Sequence, residues 1–277
     1  MNERSKKIIV KWYKTLEFPE RLDGEFYASL DKYDIDPDIK FADYNLSSCD
    51  GKRNLFSFLI FAEELSEKYK AKGIPERILL DSLHDLVIWT EKYTEIKGEL
   101  YLGELDWLKH MMNMVLFRLG SLQFCYATTS FSIPSHGVTP GDYVLHIHIP
   151  TGASLKQRDV SRSMRDAIDF FGEYYPEAEY KCFTCHSWML DSKLTEILPE
   201  GSNILAFRNR FDIISEDARN LIIKFIFPWD TTEENLKDKI PTSSLSRAVK
   251  ERVLSGEKMN VTLGAIRKED VLNYTLD

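Results

Sequence analysis

The residues best suited to chemistry lie in one stretch, YVLHIHIPTGASLKQRDVSRSMRDAIDFFGEYYP, residues 143–176. Alternation along an extended strand sends Tyr143, Leu145, Ile147 and Ile149 to one face and Val144, His146 and His148 to the other. The two imidazoles then stand about 6.6–6.8 Å apart. Such a pair could move protons near neutral pH, hold a zinc ion, or simply occupy a half-solvated face. Pro150 ends the strand, and Thr151-Gly152-Ala153 turns the chain. Ser154 precedes Gln157 by the spacing of a capping box, which predicts a helix beginning there. Thr151, Gly152, Ala153, Ser154 and Leu155 would then present backbone N–H groups and the positive end of a helix dipole beside the end of a strand. That corner suits an anion, although many strand-to-helix turns share it.

A second group follows in YKCFTCHSW, residues 180–188. Cys182-Phe183-Thr184-Cys185-His186 has the spacing of a haem-attachment motif and contains half of a zinc set. As a strand, however, it splits Cys182, Thr184 and His186 from Phe183, Cys185 and Ser187, and opposite faces cannot converge on one ion without a bulge. No metal and no haem are expected, and the cysteines read as small buried hydrophobes. Ser187 beside His186 could act as an acyl-carrying nucleophile, but no G-x-S-x-G elbow surrounds it. Arg208 and Arg210, two apart in NILAFRNRF, would share a strand face and could neutralise a phosphate or a carboxylate.

The elements that must position these residues change character along the chain. Leu55, Phe58, Leu59, Ala62, Leu65 and Tyr69 recur at helical spacing until Gly73; Ile78 to Tyr93 repeat the pattern until Gly98, and Leu105 to Leu116 begin a third helix expected to run to Leu119. Shorter helices are expected at residues 3–16 and 20–32. After Gly120 the rhythm turns to short β-rich runs at 122–128, 143–150, 180–188, 203–211 and 221–227, with helices near 156–175 and 191–198 and a last helix and strand at 244–254 and 260–266. This predicts two domains, 1–118 and 119–277: a helical bundle followed by a mixed sheet with flanking helices, in the α+β or α/β class.

The chain has 277 residues, 44 acids against 36 bases, a formal net charge of −8 and 43% hydrophobic residues. It is long enough to bury a core without staples. The acidic balance argues against a general nucleic-acid binder, and no apolar run approaches the length of a membrane span. The first residues lack the apolar core of a signal peptide, and four scattered cysteines fit a reducing compartment, so a cytoplasmic protein is expected.

Taken together, HIPTGASL, FTCHSWML and LPEGSNILAFRNRF resemble a family of bacterial acyltransferases in which a helical N-terminal domain precedes a domain related to the GNAT N-acetyltransferases. The resemblance is strongest over residues 106–211. It implies that Tyr143–Ile149 is the strand before the acyl-CoA pyrophosphate site and that Thr151–Leu155 is the phosphate-facing turn. It further implies that 180–186 is the strand that splays away to admit the thioester, with His146, His148 and His186 beside the cleft. The implied activity is transfer of an acyl group from acetyl-CoA or another acyl-CoA to an amine of a small molecule or peptide. The superfamily turn Q/R-x-x-G-x-G/A is replaced here by Pro150-Thr-Gly-Ala-Ser with one glycine, which keeps open a GNAT-shaped module that binds a ligand or partner without catalysis. A metal-dependent hydrolase using the three histidines is a further alternative.

Overall fold

The computed structural model describes residues 1–47 and 50–274. The chain divides into two compact units, Met1–Arg118 and Leu119–Asp277.

The first unit is helical: α1 (Glu3–Thr15), α2 (Asp23–Ser29), α3 (Gly51–Lys72), α4 (Glu76–Lys97) and α5 (Leu105–Met112). Asp50 caps α3 by accepting the Arg53 N–H, and Gly73 and Gly98 end α3 and α4 in the left-handed conformation that a residue with a Cβ adopts only at a cost. The core of this unit is aromatic, with Tyr13 stacked on Phe26 at 3.6 Å between ring centroids and Phe58 set edge-on to Phe61. The third helix is shorter than its apolar repeat predicts. Met114 takes a positive φ, which stops helical propagation, and the β-favouring run after it becomes strand β1 (Leu116–Leu119).

The remaining elements are β2 (Leu122–Thr128), β3 (Tyr143–His148), α6 (Gln157–Tyr174), β4 (Phe183–Ser187), α7 (Asn203–Arg208), β5 (Asp212–Ala218), α8 (Ile223–Ile226), α9 (Ser244–Leu254), β6 (Asn260–Ile266) and α10 (Lys268–Asn273). With β1 they build a six-stranded sheet in the order β1-β2-β3-β4-β6-β5. β2 and β3 are antiparallel, β3 and β4 parallel through the α6 crossover, and β6 antiparallel to both β4 and β5.

Two expected strands are helices, and besides β1 one further strand was not foreseen. Residues 203–208 form α7 because a turn at Pro199–Ser202 delivers Ser202 as an N-cap, its hydroxyl accepting the Ile204 N–H, ahead of strong helix formers. The run at 221–227 contains α8, with Ile222 and Ile223 buried while Phe225 is 52% exposed, a pattern that alternation cannot produce. That strand, β5, carries the acids Asp212, Glu216 and Asp217, is mostly exposed and is held at the sheet edge by β6, with a bulge between Ile213 and Ser215. Residues 191–198 hold a short 3-10 turn, Ser192–Glu196.

Candidate active site

Strand register sorts β3 and β4 into two faces. Leu145 pairs with Phe183 and Ile147 with Cys185, all buried. On this face Phe124 meets Phe183 edge-on, while Phe171 of α6 packs near Tyr126 and Tyr180. Burial pushes the Cys185 thiol up to about 12 and those of Cys125 and Cys182 to about 11, so none of the three is a nucleophile at neutral pH.

The opposite face is polar where the strands end. His146 lies level with Thr184 and with Cys125, and its Nδ1 is 2.8 Å from the Thr184 hydroxyl. The His146 and His148 rings stand edge-on with centroids 4.7 Å apart. His186 is exposed on β4, two residues beyond Thr184 and therefore on the same face. Burial, assisted by nearby His186, lowers His146 to about 4. Partial burial and the Arg219 guanidinium also lower His186, against the opposing pull of Asp217. Both imidazoles are therefore neutral near pH 7. At the other end of this face, Val144, Cys182 and Ala265 are covered by Ile133 and Val138 of the long β2–β3 connection.

The strands part beside the histidines. Parallel pairing ends at Ile147 with Cys185, yet β4 continues alongside β6 through His186 with Leu263 and Ser187 with Thr262. The ladder between β3 and β4 is thus interrupted beyond Ile147 and Cys185, leaving a notch in the pairing between the end of β3 and the last residues of β4. The exit of β4 is anchored by buried Asp191, whose carboxylate accepts the Asn260 backbone N–H at 2.7 Å, its side-chain amide at 3.1 Å and the Lys193 N–H at 3.0 Å. Burial raises the pKa of Asp191, with these hydrogen bonds acting against it.

Above the notch, the chain turns at Pro150–Ala153, with the Ala153 N–H donating to the Pro150 carbonyl at 3.0 Å and Gly152 at φ 77°. Thr151 and Gly152 are exposed, and a Cβ at Gly152 would meet nothing within 4 Å, so the backbone is open to approach. The expected capping box is absent. Helix α6 starts at Gln157, Lys156 is the N-cap without a side-chain bond, and the Ser154 hydroxyl donates instead to Asp159 at 2.5 Å. Ser154 sits too early in the chain to cap. The N–H groups of the first turn still have no intrahelical acceptor.

The other expected residues fall elsewhere. Ser187 belongs to the face opposite His186, and its hydroxyl accepts the Met189 N–H to cap the 3-10 turn Trp188–Leu190. The two arginines are not on a strand. Arg208 ends α7, donating to Asn209 at 3.2 Å. Arg210, 7% exposed, spans to α6: Nε and Nη2 reach Gln157, Nη2 also donates to Ser161 at 2.9 Å, and the guanidinium lies 4.3 Å from the Tyr274 ring centroid. It lines a cavity of about 320 Å³ with Asp212, Asp270 and Tyr274, and it braces the first turn of the helix. Among the described residues, no three His, Cys, Asp or Glu side chains gather as a metal set. Thr184 and Asp191 were missed from the sequence; strand alternation already placed Thr184 with His186, but only the register with β3 brings it to His146.

Residues 116–266, over half of the chain, match the model of the GNAT-like C-terminal domain. The chain belongs to this GNAT-like family. Residues 12–114, ahead of the GNAT-like domain, match the N-acyltransferase N-terminal domain. A mutant acyltransferase solved with octanoyl-CoA is similar to 96% of this chain, over 88% of its own, at TM-score 0.77 and 21% identity. The same figures hold for an acyltransferase solved with decanoyl-CoA and teicoplanin. Another, solved with decanoyl-CoA, has TM-score 0.69 and 23% identity over 95% of this chain and 77% of its own. At such identities the likeness is one of fold. No curated protein matches the chain. Among the described residues, no helix is long and apolar enough to cross a membrane.

Proposed function

We propose that the chain is an acyl-CoA-dependent N-acyltransferase that moves an acyl group to an amine of a small molecule or peptide. The observation that carries this reading is the notch: β3 and β4 pair in parallel, their pairing ends at Ile147 and Cys185, and β3 runs on through the Pro150–Ala153 turn into α6. The neighbours solved with acyl-CoA share this fold, and one holds teicoplanin, which supports an acceptor of small-molecule or peptide character. Buried cysteines without a disulfide among the described residues fit a reducing cytoplasm.

In this reading the turn Thr151–Leu155 and the N–H groups of α6 receive the CoA phosphates, with Arg210 holding that turn of the helix in place. The acyl-CoA supplies an activated thioester. The acceptor nitrogen attacks its carbonyl carbon, a C–N bond forms, and neutral, exposed His186 takes the proton from the resulting ammonium. The C–S bond then breaks, and the thiolate leaves and is protonated to CoA thiol. His148 lines the same face, whereas Ser187 is committed to its cap and takes no part. The test is amine-dependent release of CoA thiol from acetyl-, octanoyl- and decanoyl-CoA by the full chain with a panel of amines. Release that rises with amine concentration supports the reading; thioester hydrolysis independent of any amine would overturn it.

A further inference from the structure

We propose that Thr184 is a positioning residue that fixes His146 as a neutral hydrogen-bond donor, its Nε2–H directed at the acyl carbonyl oxygen; the donor's role rests on the acyl-transfer reading above. Thr184 is fully buried, and its hydroxyl has one partner among the described residues, His146 Nδ1 at 2.8 Å. Two arrangements can fill that contact. If Nδ1–H donated to the hydroxyl, the hydroxyl's own hydrogen would be enclosed without an acceptor, a loss of about 1–3 kcal/mol. If the hydroxyl donates to Nδ1, both groups are satisfied and the imidazole proton must sit on Nε2. Nε2 makes no hydrogen bond and is not enclosed, so its N–H is available at the face where the strands part.

This assignment separates the two histidines by role. A ring whose exposed nitrogen carries the proton cannot accept one there, so His146 is excluded as the base by its tautomer as well as by its depressed pKa of about 4. An N–H aimed at the carbonyl oxygen strengthens its bond as negative charge grows during attack, and it needs no proton transfer. His186 is exposed and the Thr184 hydroxyl is engaged by His146, so the exposed nitrogen of His186 can remain unprotonated and serve as base.

The experiment is long-range ¹H–¹⁵N NMR of the histidine rings in the full chain at neutral pH, assigned with a His146→Gln variant. The proposal expects the His146 proton on Nε2; a proton on Nδ1 would overturn it even if acyl transfer is intact. Thr184→Val should lose the tautomer preference and lower kcat roughly ten- to a hundredfold with acyl-CoA affinity unchanged, and Thr184→Ser should restore both. A Thr184→Val protein with normal kcat overturns the donor's role. If the wild type shows Nε2–H but no amine-dependent turnover, the acyl-transfer reading fails and takes the donor's role with it, an outcome distinct from the wrong tautomer.

Discussion

The two faces of the β3–β4 pair are built from the same ten or so residues and do opposite work. On one, Leu145, Ile147, Phe183 and Cys185 lie buried in the sheet-and-helix core; on the other, His146, His148, Thr184 and His186 surround the point where the strands part. The difference comes from alternation: each strand sends every second side chain to the apolar core and the intervening ones to the other face, where those near the strand ends form the site. A fault on one face should therefore appear as lost stability, and a fault on the other as lost activity.

The largest expected effect is on the polar face. His186→Gln should lower kcat by roughly 10²–10⁴-fold through loss of the base while leaving unfolding free energy within about 0.5 kcal/mol, because the side chain is exposed. Steady-state kinetics beside urea denaturation check both halves, and a stable variant with full activity would remove His186 from the mechanism. The mirror experiment is Phe183→Ala. The ring is fully buried against Phe124 and Tyr180, so stability should fall by about 3–5 kcal/mol.

A third effect links the faces to pH. The folded His146 titrates at about 4 against 6.5 for the ordinary ring, so between those values the unfolded chain binds a proton that the folded ring refuses. Stability is therefore intact above pH 6.5 and falls as the pH drops towards 4, by up to roughly 3 kcal/mol from this residue. His146→Gln should make the denaturation midpoint less sensitive over that range, and an unchanged pH slope would contradict the burial argument. The smallest effect is at the turn. Gly152→Val forces a β-branched residue to a φ of 77° with open space around it, so a loss of about 1–2 kcal/mol from backbone strain is expected, together with weaker acyl-CoA binding. Gly152→Asn, which tolerates that conformation, should show less of both.

How far the sequence could be read follows the same logic of periodicity. β2, α9 and β6 lie where their apolar patterns put them, at Leu122–Thr128, Ser244–Leu254 and Asn260–Ile266, because each pattern is unambiguous in period and bounded by turn or capping residues. The histidine face was legible too, since alternation needs no tertiary information. Residues 203–208 and 221–227 were misread as strands because short apolar runs carry no clear period and the Ser202 cap outweighs β propensity. Arg208 and Arg210 went wrong with them: once the strand is a helix, Arg210 turns inward to Gln157 and Ser161. The acidic strand β5 was invisible because it is stabilised by pairing with β6 and not by burial of its own side chains. The hydrogen bond between Thr184 and His146 required the parallel register, which no local pattern encodes.

The central claim is that the notch between β3 and β4, with the turn that leads from β3 into α6, receives an acyl-CoA. Isothermal titration calorimetry of the wild-type chain with CoA and octanoyl-CoA tests it most directly. The account predicts saturable 1:1 binding of both, weakened by Gly152→Val and unchanged by His186→Gln. No detectable binding of either compound at millimolar concentration, by protein shown to be folded, would contradict it.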